Sequence, residues 1–189
     1  MIEELAKRTR SIRRFKEDRI EKETLLYFVN IARFAASGAN LQPLKYIISF
    51  EKKMNDTIFP FLKWAGYLRD WKGPEKGERP SAYIIVMGDK SISGSFGCDH
   101  GIATQNILLA ASEIGLGCCI IGAVDRKGLS DILKIPEHYE LLHVIAIGKP
   151  GEDIVVETMN RKDSVEYWRD EDGVHHVPKR ALEDIIIKV

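Results

Sequence analysis

The segment from Asp99 to Glu113 constrains the fold more than any other part of the sequence. Its apolar residues are spread around most of the circumference of a helix, which predicts burial on nearly all sides. Asp99 is a candidate N-cap, and Gly115 is a candidate C-terminal stop. Because one domain of 189 residues rarely encloses a whole helix, we expect part of its surface to contact a second copy of the chain. The apolar positions are Ile102, Ala103, Ile107, Leu108, Leu109, Ala110, Ala111 and Ile114.

The other elements mix helical and strand patterns without strict alternation. Periodicity predicts helices over residues 25–36 and 59–68 and a short helix near residues 129–133. Apolar runs predict strands over residues 46–50, 82–87, 118–121 and 142–147. This mixture predicts a single α+β domain, covering residues 1–189, with one central sheet.

The C-terminal region contains a candidate hairpin. Residues 165–168 and 174–177 are strand-like, and Asp172-Gly173 between them is a typical hairpin turn. The tail from residue 181 to residue 189 is apolar enough to dock on another surface, and we expect the partner subunit to be a candidate for it.

Composition excludes several classes of function. Lys plus Arg and Asp plus Glu are equal at 28 each, so the chain has no net field for nucleic acid or an anionic membrane. Three cysteines without framework spacing favour a reducing compartment. No apolar stretch approaches the roughly 20 residues of a membrane span, so we expect a cytoplasmic protein. The Cys and His residues match no zinc-ligand spacing, and we expect no metal site.

Two cationic groups stand near opposite ends of the chain. Arg10 and Arg13 lie three residues apart with the hydroxyl of Ser11 between them, a set that suits a phosphate. Lys179 and Arg180 form the second group, and a phosphate monoester with about −1.5 to −2 charge could be shared by both. The alternatives are solvated basic surfaces or a nucleic-acid patch, the latter disfavoured by zero net charge and the lack of interleaved aromatics.

The loop between the first long helix and the first long strand is polar. Ser37, Asn40 and Gln42 could face a polar heterocycle, with Pro43 restricting Gln42 to an extended backbone. The alternative is an ordinary helix-to-strand connector.

A glycine-rich stretch over residues 115–122 nearly matches a dinucleotide fingerprint. Ile120 stands where the third glycine belongs, and a strand follows instead of a helix, so a Rossmann site is disfavoured. Gly122 at the end of that strand would let a flat ligand approach the backbone closely.

In their order and spacing, these segments resemble the FMN-dependent nitroreductase superfamily over nearly the whole chain. The similar motifs are Thr9-Arg10-Ser11-Ile12-Arg13-Arg14-Phe15, Ala35-Ala36-Ser37-Gly38-Ala39-Asn40-Leu41-Gln42-Pro43, the helix with its Gly115-Leu116-Gly117 exit, Val144-Ile145-Ala146-Ile147-Gly148-Lys149-Pro150 and Lys179-Arg180-Ala181-Leu182-Glu183-Asp184. Thr9 and Ala36 depart from the family pattern, which has arginine and proline there. Against this pattern, residues 154–177 are an inserted hairpin.

The resemblance implies a three-layer fold with a central mixed sheet flanked by helices, in an intertwined homodimer with FMN at the interface. It implies that the FMN phosphate is held by Arg10, Ser11, Arg13, Lys179 and Arg180. The isoalloxazine ring would be approached by Ser37, Asn40 and Gln42, some of them from the partner subunit, and by the backbone of Ile121 and Gly122.

The function implied is transfer of electrons from NADH or NADPH through FMN to a small electron-poor organic acceptor in a ping-pong cycle. No side chain is assigned as catalytic, and Lys63, Trp64 and Tyr67 are candidates for a segment that covers the ring. The alternatives are reduction of an enone or of free flavin on the same fold, or a flavin-binding module without catalysis.

Overall fold

The computed structural model describes residues 1–187 and contains two separate β-sheets. The helices are α1 Ile2–Arg8, α2 Lys22–Ala32, α3 Lys52–Ile58, α4 Asp99–Glu113, α5 Arg126–Leu133 and α6 Leu182–Ile185. The strands are β1 Phe15–Lys16, β2 Leu44–Ser49, β3 Ala82–Asp89, β4 Gly117–Ile121, β5 Tyr139–Pro150, β6 Ile154–Met159, β7 Trp168–Arg169 and β8 His175–Arg180. None of the helices within these residues has the length and apolar character needed to cross a bilayer.

The central sheet is built around β5. β3 pairs along one side of it, with β2 beyond β3, while β4 and then β1 pair along the other. The prediction of a mixed sheet was wrong, because within the described residues every pairing between strands of this sheet is antiparallel. Among residues 1–187, the parallel contact of this sheet is an isolated bridge from Ser11 to Cys118. The fully buried β3 could not reveal its direction, since helices cover both sheet faces.

Two apolar cores lie on opposite faces of this sheet, because alternate residues of a strand point to opposite sides. Ile84 and Ile145 pack on one face against residues from α2 and α4. Ile85 and Val144 pack on the other face, where α3 and α5 contribute Ile58 and Leu129 among others. The sheet therefore lies between two helical layers.

Helix α4 has the bounds that its apolar pattern predicts, and most of its residues are buried. Its partly exposed strip includes Ile102, Gln105 and Glu113. The N-cap prediction was wrong by one residue: Cys98 is the N-cap, and Asp99 turns its carboxylate to the loop at residues 37–42. The contact of this helix with a second copy stays a prediction.

The second sheet consists of β6, β8 and β7 in that spatial order. The predicted hairpin is present in a shorter form, in which β7 runs antiparallel to β8 across a turn with Gly173 at φ 81°. The whole of residues 154–177 is not a hairpin, because β6 adds a third strand parallel to β8. Hairpin signals are local, so they could not reveal a partner strand that lies far back along the chain.

Candidate functional site

A cavity of about 450 Å³ lies beside the end of β4. Its lining consists of residues 119–123 at the strand exit, residues 63–66 of a connecting segment, and the side chains of Arg13 and Tyr167. The two segments are joined by a hydrogen bond of 2.9 Å from the Lys63 N–H to the Ala123 carbonyl. The volume falls in the range of small-molecule sites, about 300–1,000 Å³.

The connecting segment differs in secondary structure from its sequence prediction, and its proposed role of covering a bound ring stays a prediction. Within this stretch only Phe59–Phe61 forms a helical turn; the backbone is extended at Leu62, and a turn follows in which the Leu68 N–H donates to the Ala65 carbonyl at 2.9 Å. The helix predicted over residues 59–68 was therefore wrong. Lys63 and Trp64 line the cavity. The indole Nε1 of Trp64 is buried against Gly73 and has no hydrogen-bond partner among the described residues.

Arg13 supplies a buried positive charge to this cavity. The residue is 9% exposed. Its Nη1 lies 3.0 Å from His175 Nε2 and 3.4 Å from the Ser11 carbonyl oxygen, and its guanidinium lies 4.3 Å from the centre of the Tyr167 ring. Within residues 1–187, no carboxylate pairs with this side chain. Burying a charge without a counter-ion costs several kcal/mol of folding free energy. A ligand with negative charge would offset that cost, so the site suits such a ligand.

Glu152 fixes the backbone beside that guanidinium. Its carboxylate accepts hydrogen bonds from the backbone N–H groups of Arg13 and Arg14. Its other oxygen accepts from Arg169 Nη2 at 2.7 Å, and the side chain of Glu152 is 1% exposed. This carboxylate is therefore already engaged by backbone donors and by a different arginine.

His175 is held neutral. It is fully buried, and burial lowers its pKa to about 4, with the nearby Arg13 charge acting in the same direction. Arginine can only donate, so Nε2 of His175 accepts its hydrogen bond and the ring proton resides on Nδ1.

The remaining N-terminal site residues, Arg10 and Ser11, are not in the lining of this cavity. Ser11 forms the parallel bridge with Cys118, which ties the stretch before Arg13 to β4. Arg10 donates from Nη2 to the Ala6 carbonyl at 2.7 Å, and its Nε is buried without a partner among the described residues. Burial lowers the pKa of Arg10.

At the exit of β4, Ile121 and Gly122 could contact a ligand through their backbone atoms only. Ile121 buries its side chain in the apolar core. A Cβ placed on Gly122 would have open space around it, so a flat ligand can approach there. The Gly122 carbonyl accepts from Arg126 Nη2 at 3.0 Å, which fixes the turn that follows.

Lys179 and Arg180 are not joined to the N-terminal cations within this chain. Both are exposed near the end of β8. Since a strand rises about 3.3 Å per residue, Arg180 stands roughly 16 Å further along the strand than His175. Among residues 1–187, no hydrogen bond connects either cation to Arg10, Ser11 or Arg13. The C-terminal segment reaches Arg13, but through His175 and Tyr167.

The loop at residues 37–42 is anchored to the start of α4. Ser37 Oγ donates to an Asp99 carboxylate oxygen at 2.6 Å, and the Gly38 N–H donates to the other at 3.0 Å. These two bonds, the Ser37 bond first, lower the pKa of Asp99. The Gln42 N–H returns to Ser37 Oγ at 2.9 Å.

This loop lies apart from Arg13 in the single chain. Ser37 and Gln42 line a second cavity of about 180 Å³, with Asp99 and Tyr46 in the same lining, and Asn40 is exposed. Asn40 and Gln42 have φ of 55° and 53°, a left-handed conformation that the surrounding hydrogen bonds must hold. The prediction that Pro43 restricts Gln42 to an extended backbone was therefore wrong. One chain therefore separates the predicted site residues into three groups: those near the first cavity, the loop at residues 37–42, and Lys179 with Arg180.

Sequence reasoning missed Glu152, Tyr167 and His175. Each belongs to the C-terminal region, and each contacts Arg13 or its backbone across more than 130 positions of sequence. Their spacing follows no motif. The signal in the sequence is limited to an acidic residue after β5 and aromatic residues flanking a hairpin turn.

Comparison with known proteins agrees with the fold. The family model described as "Nitroreductase family" matches residues 6–149. A protein of Methanothermobacter thermautotrophicus, named provisionally as an NADH dehydrogenase/NAD(P)H nitroreductase, is 31% identical over 157 residues, covering 79% of this chain and 78% of that protein. An FMN reductase (NADPH) of Bacillus subtilis is 27% identical over 159 residues, covering 75% of this chain and 63% of the relative.

Solved structures extend this similarity to the three-dimensional level. An FMN-dependent nitroreductase from Clostridium difficile R20291 has a TM-score of 0.63 at 28% identity, covering 81% of this chain and 89% of that one. A nitroreductase family protein from Streptococcus pneumoniae has a TM-score of 0.71 at 16% identity with complete coverage of both chains, and this shows likeness of fold. With a family model that spans most of its length, the chain belongs to the nitroreductase family.

Proposed function

We propose that this chain is an FMN-dependent oxidoreductase that passes electrons from NADH or NADPH to a small, electron-poor organic molecule. Membership of the nitroreductase family supports this proposal. So do the names of relatives and structural neighbours, which include an FMN reductase (NADPH) and an FMN-dependent nitroreductase.

The observation that carries the proposal is the buried guanidinium of Arg13 at a cavity with a flat, open backbone wall. A guanidinium without a carboxylate suits an electron-rich edge of a planar ring. Gly122 leaves room for the ring to approach the backbone. The residues of this cavity therefore fit a flavin.

The proposed contacts of the remaining site residues require a second copy of the chain. Ser37, Asn40 and Gln42 lie apart from Arg13 in one chain, so a homodimer would have to bring this loop to the partner's cavity. Arg10 and Ser11 stay the proposed phosphate contacts on the cavity side. Lys179 and Arg180 would join them only across the same interface.

Bound FMN would supply hydride acceptance and hydride delivery, chemistry that no side chain of this site offers. The protein binds and orients the ring. The resemblance assigns Arg13 to the FMN phosphate, but Arg13 shares the cavity wall with Gly122, so we propose instead that its guanidinium stabilises negative charge at the ring edge. Because one cavity serves both reactants in turn, NAD(P)H leaves before the acceptor enters, which gives a ping-pong cycle. No side chain is required as a general acid or base.

The cofactor is tested by the absorption spectrum of the purified protein and by identification of the flavin released on denaturation. Arg13→Ala should weaken FMN binding by at least about 1.5 kcal/mol, roughly tenfold, because a charged hydrogen-bond partner is lost. Arg161→Ala is the matched control, since Arg161 is exposed and lies outside the cavity lining. Equal FMN affinity in the two variants would contradict the assigned site.

The reaction is tested by mixing the holoprotein with NADH or NADPH without oxygen and following the flavin absorbance. Bleaching, followed by recovery on adding acceptor, is expected. A bound flavin that neither donor reduces would leave a binding module without catalysis. A panel of nitroaromatics, quinones, enones and free FMN separates nitroreduction from enone reduction and from free-flavin reduction, the activity in the name of the Bacillus subtilis relative.

A further inference from the structure

The second sheet has a part in this site that the family assignment does not cover. All three of its strands follow residue 149, the last residue that the family model matches. Two side chains at the start of its strands contact Arg13 directly: His175 is the first residue of β8, and Tyr167 directly precedes β7. No other part of the C-terminal region makes a side-chain contact of this kind with Arg13 within the described residues.

His175 gives Arg13 a neutral partner in a fixed place. The register of β8 sets its position, with the His175 N–H bonded to the Asp153 carbonyl at 2.9 Å. Its Nε2 accepts from Arg13 Nη1 at 3.0 Å. The bond restrains the guanidinium and takes nothing from its positive charge, since a neutral imidazole carries none.

Tyr167 restrains the same guanidinium through its ring face. The ring centre lies 4.3 Å from Arg13 Cζ, a cation–π contact. The ring itself packs edge-on against Tyr67 at 5.0 Å and lies 5.3 Å from His175, so it has little freedom to move away. A ring face, like a neutral imidazole, leaves the charge uncompensated.

The charges around the cavity show why the type of partner matters. Glu152 is the acid of this cluster, and its oxygens are engaged by Arg169 and by backbone N–H groups. Two guanidiniums and one carboxylate, with His175 neutral, leave one positive charge that lies on Arg13 at the cavity wall.

We infer that His175 and Tyr167 are positioning residues, which hold the Arg13 guanidinium at the cavity wall while leaving its charge available to an anionic planar ligand. The inference rests on the proposed function, with the flavin as the ligand. An isoalloxazine ring gains negative charge on two-electron reduction, so a well-placed Arg13 favours the reduced form over the oxidised form. By holding Arg13 in place, His175 and Tyr167 should therefore raise the two-electron midpoint potential of the bound flavin.

The test measures FMN dissociation constants and midpoint potentials of four holoprotein variants. His175→Leu and Tyr167→Leu remove the acceptor and the ring face, while His175→Gln and Tyr167→Phe keep them. We expect each Leu variant to bind oxidised FMN several-fold more weakly and reduced FMN a further tenfold more weakly. That tenfold difference lowers a two-electron potential by about 30 mV. Each conservative variant should stay within twofold of the parent protein.

Trp168→Leu is the matched control, because Trp168 belongs to the same sheet, is 45% exposed and stacks on His176 instead of Arg13. Its potential should equal that of the parent. A shift as large as in the other Leu variants would overturn the inference, and so would Leu variants with unchanged potential. If a Leu variant does not fold, the midpoint potentials of His175→Gln and His175→Asn are compared instead. Only glutamine places its oxygen near the Nε2 position, so only His175→Asn should have the lower potential. A parent protein that binds no FMN would instead refute the proposed function itself.

Discussion

Replacing Glu152 is expected to cost more stability than any exposed acid in the C-terminal region. Its carboxylate, 1% exposed, pairs with Arg169, which is itself only 11% exposed, at 2.7 Å. The same carboxylate accepts from the backbone N–H groups of Arg13 and Arg14. Glu152→Ala would leave a buried guanidinium without a counter-ion and two N–H groups without an acceptor.

The magnitude follows from those contacts. Removing one partner of a buried ion pair costs roughly 3–5 kcal/mol. Water can enter the space left by the carboxylate and bond to the two N–H groups, so these groups add little to the loss. We therefore expect Glu152→Ala to lower the free energy of unfolding by about 4 kcal/mol. Glu152→Gln keeps acceptor oxygen but loses the charge, for which about 2 kcal/mol is expected. At roughly 2–4 °C per kcal/mol for a chain of this size, Glu152→Ala should lower Tm by about 8–16 °C.

Urea unfolding followed by far-UV circular dichroism measures these values, at one protein concentration and with FMN in fixed excess, because ligand and partner both shift the apparent stability. Glu157→Ala is the control, since Glu157 is 42% exposed and pairs with His176 near the surface. Its loss should stay below about 1 kcal/mol. The reasoning fails if Glu152→Ala loses no more stability than Glu157→Ala.

Three further predictions concern other parts of the molecule. Asp125→Ala removes the acceptor that caps α5 and should cost about 1 kcal/mol in urea unfolding. Gly117→Ala places a Cβ against Ile12 Cγ1 and should cost roughly 1–3 kcal/mol. The same change should cost less in an Ile12→Ala background, which lacks Cγ1, and an equal cost would exclude this clash as the cause. Burial lowers the pKa of His143 to about 4, so its unfolded form binds a proton more readily. The stability it contributes is complete above about pH 6.5 and declines as the pH falls towards 4, a slope that should be smaller in His143→Gln if unfolding is measured across that range.

The parts of the fold with a strong local pattern were predictable from the sequence. The nearly all-round apolar surface of α4 gave its bounds, and the short β-branched run of β3 gave a buried strand. The Asp-Gly pair marked the turn between β7 and β8. For the site, Arg13 and Gly122 were identified from motifs whose spacing is local, and both border the cavity.

Contacts between distant segments were not predictable in the same way. Glu152 and Arg13 lie 139 positions apart, and the hydrophobic pattern around either residue does not indicate that they are in contact. Strand direction in the central sheet also depends on connections, since helices bury both faces whatever the direction. The expected meeting of Arg13 with Lys179 and Arg180 relied on charge and on the family resemblance, neither of which specifies which residue of a strand contacts Arg13 within one chain.

The separation into two sheets has a consequence for motion. Within residues 1–187, no strand of the second sheet shares a ladder with the central one, so the smaller sheet can open as its own cooperative unit while the larger remains intact. Amide hydrogens of β6 and β8 should then exchange with solvent at a lower free energy than those of β3, and equal protection would show that the two sheets open together. Each opening would carry Tyr167 and His175 away from Arg13, which makes the electrostatics of the cavity depend on the local unfolding equilibrium of the C-terminal region.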